Sequence, residues 1–289
     1  MKFRRSLPFA LLIAAAACSR GERATNDSAA ADTSAVTSAV AQSIDLTAAD
    51  FSFQAPDSVP SGPTWIRMTN AGKEFHHVIV VQLDSGRTVD EFLKAFAANP
   101  KAPPAWSHPI GGPIAPSPGG AATATAVNLN PGTYALICVV PSVDGVPHIA
   151  KGMSRQLTVV PATSAAAAPV ITPTTTVTLA DYSFTASTPL TAGKNVIRVV
   201  NSATQPHEVV LVRIFPGKTV GDVAAFGEKP EGAPPGEVVG GASFIAGPVE
   251  NFIEVDLTPG DYGFICFVPD VKDGKPHLAH GMIQQFKIN

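Results

Sequence analysis

A segment ending GTYALICVVPSVDGVPHIAKGM (Gly132 to Met153) returns as GDYGFICFVPDVKDGKPHLAHGM (Gly260 to Met282), and this duplication is the strongest constraint on how the 289-residue chain folds. The correspondence extends well beyond these two segments. Ala49-Asp50-Phe51-Ser52-Phe53 matches Ala180-Asp181-Tyr182-Ser183-Phe184, and Gly62 to Asn70 matches Gly193 to Asn201. Arg87-Thr88-Val89 pairs with Lys218-Thr219-Val220, Ala102-Pro103-Pro104 with Ala233-Pro234-Pro235, and Gly111-Gly112 with Gly240-Gly241. A period of about 130 residues is too long for a solenoid unit and has the length of a duplicated domain.

Within the copies, TVTLADYSF, NVIRVVN, EVVLVRI and NFIEVDL are short, rich in Val, Ile and Phe, and bounded by Gly, Pro or Asn, which predicts strands. TVDEFLKAF from Thr88 and TVGDVAAF from Thr219 differ. Each joins a Thr cap to an early acid and apolar residues at helical spacing, so one short helix is expected per copy. Roughly seven strands with turns at short intervals and one helical excursion predict an all-β chain of two tandem antiparallel β-sandwiches. The first is expected over 44–160 and the second over 176–289. Between them, PATSAAAAPVITPTT (161–175) is too poor in large apolar residues for a core and is expected as a linker.

The N-terminus, MKFRRSLPFALLIAAAAC, carries Lys2, Arg4 and Arg5, then an apolar run too short to span a bilayer, then small residues before Cys18. This is the pattern of a secretory signal peptide over 1–17. Ala15-Ala16-Ala17-Cys18 resembles a bacterial lipobox, with Ala15 where Leu is usual, and the resemblance implies cleavage before Cys18 and a lipid on its sulfur. Residues 18–43 are Ala, Ser, Thr and Asp with hardly a large apolar side chain, so a disordered tether is expected. Location in the cell envelope, facing periplasm or exterior, follows from the anchor. Net charge is −3 with scattered Lys and Arg, which leaves no electrostatic footprint for nucleic acid. No membrane contact beyond the anchor is expected.

Cys18 apart, each copy has one cysteine, Cys138 or Cys266, at the end of an apolar alternating run. Exported proteins normally oxidise thiols to disulfides, so a lone cysteine per copy calls for a reason. Each is followed by a His after a Pro (His148, His277) and by a Met five positions further (Met153, Met282). Upstream, His76 and His207 open second apolar runs. His77 adjoins His76, but Asn70 aligns with Asn201, so His76 matches His207 and His77 matches Glu208. His77 is therefore expected as an exposed neighbour, and His108 and His280 as incidental. Thiolate, two imidazoles and a thioether make a soft donor set that suits copper over magnesium or calcium. On the residues alone, two alternatives stand beside ligation: cysteines buried as small apolar residues, or a Cys138–Cys266 disulfide, which would need α-carbons within about 7 Å.

This pattern resembles the cupredoxins, the plastocyanin and azurin family of β-sandwiches that hold one type 1 copper. In that family a His lies beside an early strand, while Cys, His and Met follow a Gly-x-Tyr-x-x-x-Cys strand on one loop. The resemblance covers both copies and implies His76, Cys138, His148 and Met153 as the ligands of the first. In the second it implies His207, Cys266, His277 and Met282. The loops depart from the family: nine residues separate Cys138 from His148 and ten separate Cys266 from His277, where two to four are usual. A doubled loop costs only about 0.6 kcal/mol of closure entropy. Pro, Asp and Gly within the insertions suggest a small turn that projects and then returns the chain.

A lipid-anchored copper protein for electron transfer or copper handling is the expected function, with an exported redox or copper-handling partner. The sequence has no His-x-His pairs, no His-Cys-His run, no Gly-x-Ser-x-Gly elbow and no His-Glu-x-x-His helix. A chain that is not an enzyme is expected from these absences. The alternative of another class is a metal-free sandwich pair serving as a structural or interaction module.

Overall fold

Alternating burial builds the strands. Along Gln42–Ala49 every second side chain, Ile44, Leu46 and Ala48, is buried, and Thr175–Ala180 repeats the pattern with Val177 and Leu179. The computed structural model describes residues 42–163 and 170–289. The predicted signal peptide, Cys18 and the tether up to residue 41 lie outside the described residues.

The first copy holds β1 (Gln42–Ala49), β2 (Ser52–Gln54), β3 (Ser58–Pro60), β4 (Gly62–Asn70), β5 (Ile79–Leu83), β6 (Ser107–Pro109), β7 (Thr123–Leu129), β8 (Gly132–Ile137) and β9 (Ser154–Val160). Helix α1 (Val89–Ala98) lies between β5 and β6. The second copy holds β10 (Thr175–Ala180), β11 (Ser183–Ala186), β12 (Gly193–Asn201), β13 (His207–Ile214), β14 (Gly236–Ile245), β15 (Glu250–Leu257), β16 (Gly260–Ile265) and β17 (Ile283–Ile288), with α2 (Val220–Glu228) after β13. The described residues are thus mostly β. Strand β1 begins at Gln42, inside the predicted tether, and β10 opens on the last residue of the predicted linker.

Both helices start where the sequence places them. Thr88 and Thr219 are the N-caps, and each closes a capping box with the acid three positions on, Glu91 or Asp222. These boxes satisfy amide groups that a helix terminus otherwise leaves without partners.

The strands form an eight-stranded sheet in the order β11-β10-β12-β15-β7-β4-β1-β2, a four-stranded sheet β14-β13-β16-β17 and a five-stranded sheet β3-β9-β8-β5-β6. Purely antiparallel sheets were expected, whereas β1 runs parallel to β4, β10 to β12 and β3 to β9. The cause is visible in the first copy. After the β1–β2 turn the chain crosses to the other sheet as β3 and returns as β4, so it re-enters beside β1 in the same direction. One apolar cluster of the first copy draws Leu46, Ile66, Met68 and Leu129 from the large sheet and Val80, Tyr134, Leu136 and Leu157 from the five-stranded one. The outer face of β5 and β8 is covered as well, because Ile79, Val81 and Ile137 pack with Val89 and Phe92 of α1.

The two copies share the large sheet through β7 and β15, with Ala126 opposite Phe252 and Ala124 opposite Glu254. Buried Asn251 clamps this seam: its Oδ1 accepts from the Gly112 amide at 3.1 Å and its Nδ2 donates to the Ile110 carbonyl at 2.9 Å. Ser243 Oγ donates to the Val78 carbonyl at 2.6 Å. The paired glycines of the sequence find their reason here. Gly112 has φ of 138°, and a Cβ on it would lie 2.4 Å from the Val78 oxygen; Gly241, at φ 151°, would lie 2.2 Å from the equivalent Val209 oxygen.

Candidate metal centres

The donors sit at or near the ends of elements: His207 opens β13, whereas His76 lies in the loop three residues ahead of β5. Cys138 directly follows β8 and Cys266 follows β16. Those strands are anchored at their starts by the tyrosine of the Gly-x-Tyr pattern: Tyr134 O–H donates to the Asn130 carbonyl at 2.9 Å, and Tyr262 to the Thr258 carbonyl at 3.0 Å. His148 and His277 open one-turn 3₁₀ helices, His148–Lys151 and His277–His280, which end at Gly152 and Gly281 with φ of 100° and 96°. Only glycine adopts that conformation at little cost, which accounts for the Pro-His-x3-Gly-Met frame. Met153 and Met282 come next. Their carbonyls accept from the Cys138 and Cys266 amides at 3.2 Å, and their own amides donate to His148 and His277.

The long loops are small hairpins that project and close again. In the first, the Ser142 amide donates to Val146 O and the His148 amide to Val140 O, both at 2.9 Å, with Pro141 facing Pro147. The second has Asp270 N–H on Lys275 O at 2.7 Å, His277 N–H on Val268 O at 2.9 Å, and Pro269 facing Pro276. Both imidazoles are thereby returned to the cysteine despite the added length.

The donors converge. His76 Nδ1 lies 3.1 Å from His148 Nδ1, which lies 3.4 Å from Cys138 Sγ. In the second copy His207 Nδ1 and His277 Nδ1 are 2.9 Å apart and Cys266 Sγ is 3.4 Å from His277 Nδ1. Within each trio the donor atoms all lie within 4.8 Å of one another, and all six residues are fully buried. Met153 and Met282 are fully buried in the same apolar clusters as their cysteines.

The far nitrogen of each imidazole is already engaged. Asp50 Oδ1 is 3.0 Å from His76 Nε2, and Glu74 Oε2 is 3.0 Å from His148 Nε2. Asp181 Oδ1 is 3.2 Å from His207 Nε2, and Gln205 Oε1 is 3.1 Å from His277 Nε2. An acceptor at Nε2 holds the proton there and turns the Nδ1 lone pair toward the cysteine, which is how outer partners prepare imidazoles as ligands. The residue pattern missed these four partners; a signal for Asp50 and Asp181 lay in their matched place in the repeat.

Electrostatics agree with a site prepared for a cation. Burial lowers the pKa of His76 and His207, against the pull of Asp50 and Asp181. His277 is pushed down to about 4 by burial and then by the charge of His207. Asp50 loses some carboxylate character to burial, but the amides of Lys73 and Glu74 and the His76 ring outweigh this and hold it below its usual value. Burial pushes the Cys138 thiol up to about 12, and raises Cys266 further with help from Glu208. Without a metal these thiols stay protonated; a coordinated cation removes the proton outright. Two imidazole nitrogens and a thiol that face one another in a buried site fit copper, the soft-donor choice.

Several expectations need correction. His77 is buried, not exposed, and its Nε2 accepts from the Val139 amide at 3.2 Å. Glu208 does the same for the Phe267 amide at 2.9 Å. The repeat decided only which of the two histidines matches His207 and left His77 as the surface neighbour; in the structure His77 instead bridges to Ile114 ahead of β5 and turns inward. In the second copy a register shift between His207 and Val209 also turns adjacent residues inward. The disulfide alternative falls, since Cys138 and Cys266 are both free and each lies in its own trio. His108 is exposed on Asp84 at 2.9 Å, and His280 pairs with Asp273 at 3.2 Å with its ring tilted against that of Tyr182.

No family model and no curated protein matches the chain. Among solved structures, it is similar to dithionite-reduced auracyanin from the photosynthetic bacterium Roseiflexus castenholzii, with 20% identity, 43% of this chain and 100% of that chain covered, and a TM-score of 0.29. It is also similar to a blue copper oxidase from Nitrosomonas europaea, with 15% identity, 85% of each chain covered and a TM-score of 0.25. A copper nitrite reductase from Nitrosomonas europaea gives 14% identity, 86% of this chain and 94% of that chain, and a TM-score of 0.24. The exclusion of an enzyme drawn from missing motifs is withdrawn, because an oxidase and a reductase stand among the similar structures. Likenesses of this size decide neither the fold nor the role of the chain; the fit to copper rests on its own two His-Cys-His trios.

Proposed function

We propose that the chain is an exported, lipid-anchored copper protein whose two tandem cupredoxin-like sandwiches, 44–160 and 176–289, each hold one type 1-like copper for electron transfer. His76, Cys138, His148 and, as a weaker ligand, Met153 would hold the first ion. His207, Cys266, His277 and Met282 would hold the second. The observation that carries this reading is the same in both copies: Nδ1, Nδ1 and Sγ converge in a buried place while each Nε2 is bonded elsewhere. Copper in a His2Cys setting supplies a one-electron carrier. The chain's residues hold the imidazoles in orientation, exclude water and keep the sulfur within reach of amide donors. Cys18 would carry the lipid, residues 161–175 would link the copies, and an exported redox protein would be the partner.

Full burial of all six His and Cys residues favours electron transfer over copper handling, since handing over an ion requires an incoming ligand to reach it. The test is a redox cycle of the copper-loaded chain in the presence of a copper(I) chelator. Electron transfer predicts that both ions stay bound through repeated reduction and reoxidation. Rapid loss of copper to the chelator on reduction would assign the chain to copper delivery instead.

A further inference from the structure

The duplication provides an internal comparison of the two sites, and one position breaks the match in a chemically pointed way. In the first copy a carboxylate, Glu74, touches His148 Nε2 at 3.0 Å, and Ser142 Oγ donates to its other oxygen at 2.8 Å. In the second copy the equivalent pair is exchanged: Gln205 presents an amide oxygen to His277 Nε2 at 3.1 Å, and the acid moves to Asp270, the counterpart of Ser142. Asp270 lies 3.9 Å from His277 Nε2 and is already shared by Tyr182 O–H, Gln205 Nε2 and the Lys272 amide. Each copy therefore keeps one acid in this corner, but only the first places it directly on the imidazole.

We propose that Glu74 and Gln205 are positioning residues that make the two copper sites unequal, so that an electron shared between them rests at the site of the second copy. This rests on the copper reading above. A carboxylate on the Nε2 proton makes Nδ1 a stronger donor and favours the more highly charged ion, whereas an amide oxygen does so less. The exchange is of one electron: the first site is oxidised as the second is reduced, with no bond made or broken and no proton released. Other differences flank the sites, among them Tyr182 against His277 where Phe51 lies against His148. Glu208 replaces His77 behind the cysteine, and His280 replaces Lys151 at the end of the 3₁₀ turn. Glu208 is the one that needs a control, since an ionised acid there would act against the proposed order.

The test is a spectroelectrochemical titration of the full copper-loaded chain and of two single-site variants, Cys266→Ser and Cys138→Ser, which leave the first and the second site respectively. The second site is expected to hold the electron at least roughly tenfold more strongly, a potential about 59 mV higher. Glu74→Gln in the Cys266→Ser chain should raise the potential, and Gln205→Glu in the Cys138→Ser chain should lower it. The double exchange Glu74→Gln with Ser142→Asp should bring the first site toward the second even where Gln205→Glu fails to fold. Glu208→Gln should leave the order unchanged. Equal potentials, a reversed order, or no response to the Glu74 exchange would overturn the inference while leaving the copper reading intact. Failure of either single-site variant to take up copper would overturn both.

Discussion

At the residue scale, the repeat made the donors legible and hid what surrounds them. His76, Cys138 and His148 could be chosen because each recurs at a matched offset, but Glu74 and Gln205 differ between copies and so left no repeated mark. His77 and Glu208 differ too, and they predict opposite responses to pH. Burial pushes His77 down to about 3, helped by the charges of His148 and His76. Its contribution to stability is full above its ordinary value of 6.5 and is lost as pH falls toward 3. Burial pushes Glu208 up to about 7, against the Phe267 amide, so its contribution is full below 4.5 and is lost as pH rises through 7. Each contributes up to about 1.4 kcal/mol per pH unit across its window. Urea unfolding of the metal-free chain is expected to show a shallower acid slope in His77→Gln and a shallower loss from pH 5 to 8 in Glu208→Gln. Unchanged slopes in both would contradict the buried placement.

At the scale of elements, strands and helices followed from pattern and caps, while pairing did not. TVDEFLKAF and TVGDVAAF announced α1 and α2 by chemistry confined to one turn, a hydroxyl and an acid three residues apart. Parallel pairing of β1 with β4 left no such local mark, because it depends on where the chain goes between them. The loop hairpins fall between these cases: Pro, Asp and Gly predicted a turn, but its closure onto Val140 and Val268 needed the backbone. Thr88→Ala is expected to lower stability by about 1 kcal/mol through loss of the cap, and Thr219→Ala by a similar amount. Glu91→Gln keeps the reciprocal bond and should cost less. Denaturant midpoints of the three variants check this, and equal losses for Thr88→Ala and Glu91→Gln would argue against a working capping box.

For the whole molecule, the sequence predicted two copies and could not show that they share a sheet. The edges that meet, β7 and β15, are ordinary strands, and side chains bond across the seam beside them, with buried Asn251 holding two backbone groups of the first copy. Asn251→Ala would leave the Gly112 amide and the Ile110 carbonyl without partners, at about 1–3 kcal/mol for each buried group. A fall in stability of about 3 kcal/mol, together with loss of amide protection at Ile110 to Gly112, is expected by hydrogen exchange. An unaltered exchange pattern there would mean that the seam does not depend on this clamp. Gly111-Gly112 and Gly240-Gly241 were visible from the start, but their reason, backbone passing against the carbonyls of Val78 and Val209, belongs to the assembled fold.

The claim on which all of this turns is that two buried His-Cys-His trios each hold a copper ion. A copper titration of the chain, followed by metal analysis and visible absorption, tests it most directly. Two ions per chain with an intense thiolate band are predicted, falling to one ion in Cys138→Ser or Cys266→Ser and to none in the double variant. A chain that takes up no copper, or whose uptake is unchanged when both cysteines are removed, would contradict it.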